Sequence, residues 1–153
     1  MGGISEHISY AEATRSAAGE RLKLVNTPNE KQLANMRETA AKIFEPLRAH
    51  FGKPITVLSM FRSPAVNKAV GGASTSQHMT GEAMDIRAAA GYDFTTADIF
   101  YYIRNHMDFD QLIWEFGNDN EPDWVHVSWN RYRRRKSVLK AVKQNGKTIY
   151  KKA

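Results

Sequence analysis

Residues 110–129, DQLIWEFGNDNEPDWVHVSW, decide what kind of sheet this chain builds. Two apolar-rich runs, DQLIWEF and DWVHVSW, flank the turn-forming cluster GNDNEP. Runs of this kind, bounded by Gly, Asn, Asp and Pro, read as strands. Downstream, SVLKAVKQNGKTIYKK (137–152) alternates apolar and polar residues around Asn145-Gly146, the strongest short-range hairpin signal. Upstream, the patterns are mostly helical. Helices first, then mostly strands with one helix inserted, predict an α+β fold and not a βαβ repeat. The expected architecture is a single domain over 1–153, with N-terminal helices packed on an antiparallel sheet.

Composition bounds the chemistry. The chain has 153 residues, 42% of them hydrophobic and 25% charged, which suits one soluble globular domain. It contains no cysteine. A disulfide framework, a thiol nucleophile and a thiolate zinc site are thereby excluded. No apolar run is long enough to span a membrane. The N-terminal MGGISEHISY lacks a basic region followed by an apolar one, so the expectation is no secretory signal and synthesis in the cytoplasm. The net charge of +6 is concentrated towards the C-terminus, most visibly in NRYRRRK (130–136). Such a run is either a solvated connection or a contact for an anionic partner. Nucleic acid ranks last among such partners, because neither an aromatic platform nor a recognition helix lies beside the run.

The remaining elements follow from local signals. Ser9 and Glu12 form a capping box ahead of a short helix, with Gly19 as its expected end. Thr27 reads as the cap of a second helix, Pro28 as its first residue and Glu30 as the partner that closes the box. Leu33, Met36, Ala40, Ile43 and Leu47 recur at helical spacing and mark a buried face. Pro46 should kink this helix or end its regular part, and Gly52 should stop it. ITVLSM from Ile55 reads as a strand, Ser63-Pro64 as the start of a helical turn, EAMDIRA as a short strand, and Thr95 with Asp98 as the capping box of a helix.

Three residues stand out chemically. His78 and Asp85 lie in SQHMTGEAMDI (76–86), and Asp85 is a carboxylate in an apolar strand that needs a compensating partner if buried. His126 is a polar residue within the apolar WVHVSW. Each alone is more often structural. Together they make a two-histidine, one-carboxylate set, the donor chemistry of a catalytic Zn2+ that keeps one position open. Asp123, three residues before His126, is a carboxylate within reach as general base only if the chain bends at the start of the strand. Strict alternation puts it with Val125 and Val127, opposite Trp124, His126 and Ser128. Trp114, Trp124 and Trp129 read as core before cleft wall.

SQHMTGEAMD followed by DWVHVS resembles the M15 zinc peptidases, the D-alanyl-D-alanine carboxypeptidase and L-alanyl-D-glutamate endopeptidase group. Their pattern is S-x-H-x-x-G-x-A-x-D and a later D/E-x-x-H. SMFRSPAVNKAVGG resembles their S-G-Y-R-S-P segment, with Met60-Phe61 in place of Gly-Tyr. The resemblance covers roughly Thr56 to Ser128. It implies the fold shared by these peptidases and the hedgehog domains, with His78, Asp85 and His126 as Zn2+ ligands. Asp123 would be the general base that takes a proton from the attacking water, and Arg62 would hold substrate or stabilise the oxyanion. Ser76, Gln77 and Glu115 would line the substrate site. The implied substrate is a peptide of bacterial peptidoglycan, met after lysis or from a virion, with the basic segment 130–136 touching the anionic wall and no role for a membrane. A monomer is expected. The alternative is a zinc- or wall-binding module without turnover on the same scaffold.

Overall fold

The computed structural model describes residues 3–153. Short helices α1 (Tyr10–Thr14) and α2 (Ala17–Arg21) precede a long helical arm. That arm comprises α3 (Glu30–Thr39), a π-helical segment (Ala40–Phe44) and α4 (Glu45–Phe51). Strand β1 (Ile55–Ser59), helix α5 (Pro64–Ala69), a 3₁₀ turn (Gln77–Thr80) and strand β2 (Ala83–Ala88) follow. Helix α6 (Thr96–His106) then leads to β3 (Gln111–Glu115), β4 (Trp124–Ser128) and the hairpin β5 (Ser137–Gln144) and β6 (Lys147–Lys152). Among the described residues no helix is long and apolar enough to cross a membrane.

Most local signals hold, and the exceptions have physical reasons. The Ser9–Glu12 and Thr95–Asp98 capping boxes are both formed. Gly19 does not end the first helix: the Ser16 hydroxyl accepts from the Gly19 amide and starts a second helix, in which Gly19 is buried. The cap of α3 is Asn29, not Thr27. Asn29 and Gln32 exchange side-chain to backbone bonds of 2.8 Å each, the same reciprocal logic two residues later. Pro46 is absorbed without breaking the arm. Its ring crowds the carbonyl four residues back and it has no amide hydrogen. The preceding turn widens to π, with the Glu45 amide donating to the Ala40 carbonyl. Gly52 ends the arm in the left-handed conformation, φ 67°.

The six strands form one sheet in the order β1-β2-β4-β3-β5-β6. All neighbours are antiparallel except β3 and β5, which run parallel. The parallel pair arises because residues 129–136 cross the start of β3 after leaving β4. The amides of Lys136 and Ser137 donate to the carbonyls of Phe109 and Asp110 and set β5 on the far side of β3. Asn145 and Gly146 both have positive φ, 52° and 77°, as a type I′ hairpin requires.

Alternation divides the sheet into two faces. Val57, Met84, Ile86, Leu112, Trp114, Val125 and Val127 are buried in one core with Met36, Ala40, Ile43 and Leu47 of the helical arm. Asp85, Ile113, Glu115, Trp124 and His126 line a cleft on the other face.

The arm also grips the 3₁₀ turn. Gln32 Nε2 donates to the Met79 carbonyl, Asn35 Nδ2 to that of Thr80 and Thr39 Oγ1 to that of Gly81. Gly81 has φ 82°, and a Cβ there would sit 2.5 Å from the Gln32 carbonyl and 2.8 Å from Met36 Cγ. Gly81→Ala is therefore expected to lower stability by about 1–3 kcal/mol, from backbone strain before any steric clash is added. Urea unfolding with an unchanged midpoint would show that the turn does not need this conformation.

Candidate metal centre

Sheet register builds the centre. On β2 and β4, Asp85 and His126 are directly opposed, so their side chains rise together from one face. On the other side of Asp85 stands Ser59 of β1, aimed there by a register shift between Val57 and Ser59. His78 arrives separately, from the 3₁₀ turn that the Ser76 hydroxyl caps by accepting from the His78 amide at 3.2 Å. His78 Nε2 and His126 Nδ1 lie 3.2 and 3.1 Å from the same oxygen, Asp85 Oδ1. One ligand atom from each of the three residues lies within 4.8 Å of the others.

The backbone fixes how His78 is presented. Its Nδ1 donates to the Met60 carbonyl at 2.6 Å, and its own carbonyl accepts from the Arg62 amide at 3.1 Å. Nδ1 thus carries the hydrogen, and the lone pair of Nε2 faces Asp85 and His126. This is the arrangement in which a ligating histidine is oriented through its other nitrogen. Nε2 is buried and has no hydrogen-bond partner among the described residues. A buried lone pair without a donor, beside a carboxylate and a second imidazole, is what a divalent cation would satisfy. The donor set therefore fits a metal ion.

Because the clasp on His78 is made by main chain, the Met60-Phe61 departure leaves it intact. Both side chains are buried in the core, and neither lines the cleft. A tyrosine hydroxyl at position 61 would find no substrate there.

Arg62 holds the other side of Asp85. Its Nη2 donates to Asp85 Oδ2 at 3.2 Å, its Nε to Ser59 Oγ at 3.2 Å and its Nη1 to Asn67 Oδ1 at 3.3 Å. The guanidinium is thus locked and turns Oδ1 of Asp85 towards the histidines. Burial alone would raise the pKa of Asp85. Positive charge on the His78 and His126 side of Oδ1 outweighs that effect and holds the carboxyl well below the usual carboxylate range.

These groups open into a cleft of about 630 Å³. Ser76, Gln77 and Glu115 line it, as do Arg62 and the three residues of the ligand set. Trp124 also lines it and is only half-buried, whereas Trp114 is core and Trp129 packs at the core's edge. Asp123 does not line the cleft. It is exposed at the start of β4, and its amide donates to the Glu115 carbonyl at 2.9 Å. The carboxyl that the sheet brings into the cleft besides that of Asp85 belongs to Glu115. Burial pushes its pKa up to about 7; the Asp85 charge adds to the rise, while His126 and Arg62 oppose it.

Asp110 escaped the sequence reading. It is completely buried at the start of β3 and accepts from Gln77 Nε2, Arg133 Nη2, and the amide, Nε and Nη2 of Arg135. Burial would raise its pKa, but these bonds, led by Arg135, hold it at about 2. A depressed carboxyl contributes stability that is present above its unfolded pKa and lost as pH falls towards the folded value. The wild-type urea midpoint should therefore drop between about pH 4 and pH 2, and Asp110→Asn should flatten that part of the profile. Parallel profiles for the two proteins would refute the assignment.

Comparison with curated proteins finds no match. A family model described as Peptidase M15 matches residues 6–128, which include the helical arm, the clasp on His78 and strands β1 to β4. With that match over most of its length, the chain belongs to the Peptidase M15 family.

Proposed function

We propose that the protein is a zinc-dependent peptidase that hydrolyses peptide bonds of bacterial peptidoglycan. The observation that carries this reading is the orphaned Nε2 of His78, set against Asp85 and His126 at the floor of a cleft within a peptidase family. His78, Asp85 and His126 would hold the ion. Bound Zn2+ supplies Lewis acidity, which lowers the pKa of a water and polarises a carbonyl.

The chain's own residues supply the rest. Arg62 fixes Asp85 and keeps a permanent positive charge beside the cleft, where negative charge developing on a carbonyl oxygen is stabilised. Ser76 holds the turn that presents His78. For proton transfer, Asp123 has the motif position and Glu115 has the place in the cleft. Placement favours Glu115, whose carboxylate can accept a proton at its Oε atoms and return it to the leaving amine.

The test is digestion of purified peptidoglycan by zinc-loaded protein, with mass spectrometry of the new termini. Release of D-alanine would mark a carboxypeptidase, and new L-alanine or D-glutamate termini an endopeptidase. Folded, zinc-loaded protein that releases no peptide would overturn the proposal and leave a binding module.

A further inference from the structure

The basic segment 130–136 is not a uniform solvated patch. Arg131 bonds Glu38, and Arg134 bonds Asp108, both away from the cleft. Arg133 and Arg135 instead fold back over Asp110 and line the cleft beside Gln77 and His78. Two guanidiniums share one buried carboxylate, so a positive charge is left over. Gln77 donates to the same carboxylate at 3.0 Å, which ties this cluster to the residue next to His78.

The lining as a whole is positive. Arg62, Arg133, Arg135 and Lys143 face it, against Asp85 and Glu115. Asp85 is already paired with Arg62 and turned towards the two histidines. Arg133 and Arg135 keep side chains that are 54% and 44% exposed, so donors remain for a ligand. Lys143 reaches the cleft from β5, and Thr148 and Tyr150 from β6. This wall lies beyond residue 128, where the family match ends. Its chemistry belongs to this chain and is not implied by the shared motif.

We infer that Arg133, Arg135 and Lys143 form a carboxylate-recognising wall, which selects acidic peptides bearing a free carboxylate near the bond to be cut. The inference rests on the peptidase reading for the words "bond to be cut", but not for the binding itself. Guanidiniums suit this role because their planar donor fork matches a carboxylate. Asp110 pre-orders both of them, so little side-chain freedom is lost when the ligand arrives.

The experiment uses the full chain and one synthetic stem peptide, L-Ala-γ-D-Glu-L-Lys-D-Ala-D-Ala, in three forms. One has both carboxylates free, one has the glutamate carboxylate as carboxamide, and one has the C-terminus as carboxamide. Binding to metal-free protein is measured by calorimetry, and hydrolysis by zinc-loaded protein. The free form should bind about five- to tenfold more tightly than one of the amides, as expected for a charge-assisted contact at a partly exposed site. The amide that weakens binding identifies the carboxylate that is read. Arg133→Gln should reduce the preference to within about twofold. It spares Arg135, on which buried Asp110 depends, and Lys143→Gln is the second variant in case Arg133→Gln folds poorly.

Equal binding of all three forms, a preference unchanged in both variants, or no binding at millimolar peptide would overturn the wall. If binding prefers the acid but no form is cut, the peptidase reading falls and the wall stands. If all forms are cut and bound alike, the wall falls and the peptidase reading stands.

Discussion

Replacing Asp85 by asparagine is expected to abolish stoichiometric metal binding and to lower peptide hydrolysis on the order of 10³-fold or more, the scale seen when a group on which a whole catalytic constellation depends is removed. Asp85 is the hub of the centre. One oxygen faces both histidines at 3.1 and 3.2 Å, and the other accepts from Arg62 at 3.2 Å. Asparagine keeps the shape but removes the charge, and its amide nitrogen cannot ligate a cation. The fold should persist, because Arg62 retains Ser59 and Asn67, with a loss on the order of 1–3 kcal/mol in the metal-free protein. Asp108→Asn is the matched control. That carboxylate sits in half-exposed pairs with Arg134 and Lys136, so the variant should lose no more than about 1 kcal/mol and keep both metal and activity. Elemental analysis after zinc loading and gel filtration gives the answer. An Asp85→Asn protein that retains a full complement of metal would remove Asp85 from the ligand set.

What could be read from the sequence follows the range of each interaction. Capping boxes and the Asn145-Gly146 turn are settled within four residues, and they were legible. The shift of a cap from Thr27 to Asn29 was not, since both positions satisfy the same local rule and only packing chooses between them. His78, Asp85 and His126 could be singled out as candidate ligands from motif spacing, but their juxtaposition depends on the Asp85–His126 register, which is a property of the sheet. The parallel pairing of β5 with β3 was hidden because the connection that creates it reads as a basic loop. Its anchor, Asp110, lies 25 residues before Arg135 in sequence, and nothing local links a buried aspartate to a later run of arginines. Alternation along β4 did warn that Asp123 belongs to the side of Val125 and Val127. The structure keeps Asp123 out of the cleft and supplies Glu115 there, through a strand whose inward face is Gln111, Ile113 and Glu115.

The different placement of these two carboxylates leads to the second large effect. Glu115→Gln is expected to reduce the turnover rate by about 10²–10⁴-fold while zinc content stays unchanged, the range typical of a lost general acid or base. Asp123→Ala should cost less than about tenfold, as a change at an exposed residue outside the cleft. Stability separates chemistry from misfolding. A buried carboxyl whose folded pKa is raised to about 7 from 4.5 is penalised when ionised. Its contribution is therefore most favourable below the unfolded value and is eroded as pH rises through the folded one. Glutamine fills the same space without that penalty, so metal-free Glu115→Gln should be at least as stable as wild type at pH 8. A slow enzyme that is no less stable and still holds zinc has lost a proton carrier, not its fold. If Asp123→Ala is instead the crippled variant and Glu115→Gln turns over normally, the base is Asp123. The start of β4, where Pro122 precedes it, would then have to bend in the working enzyme to bring that carboxylate over the cleft.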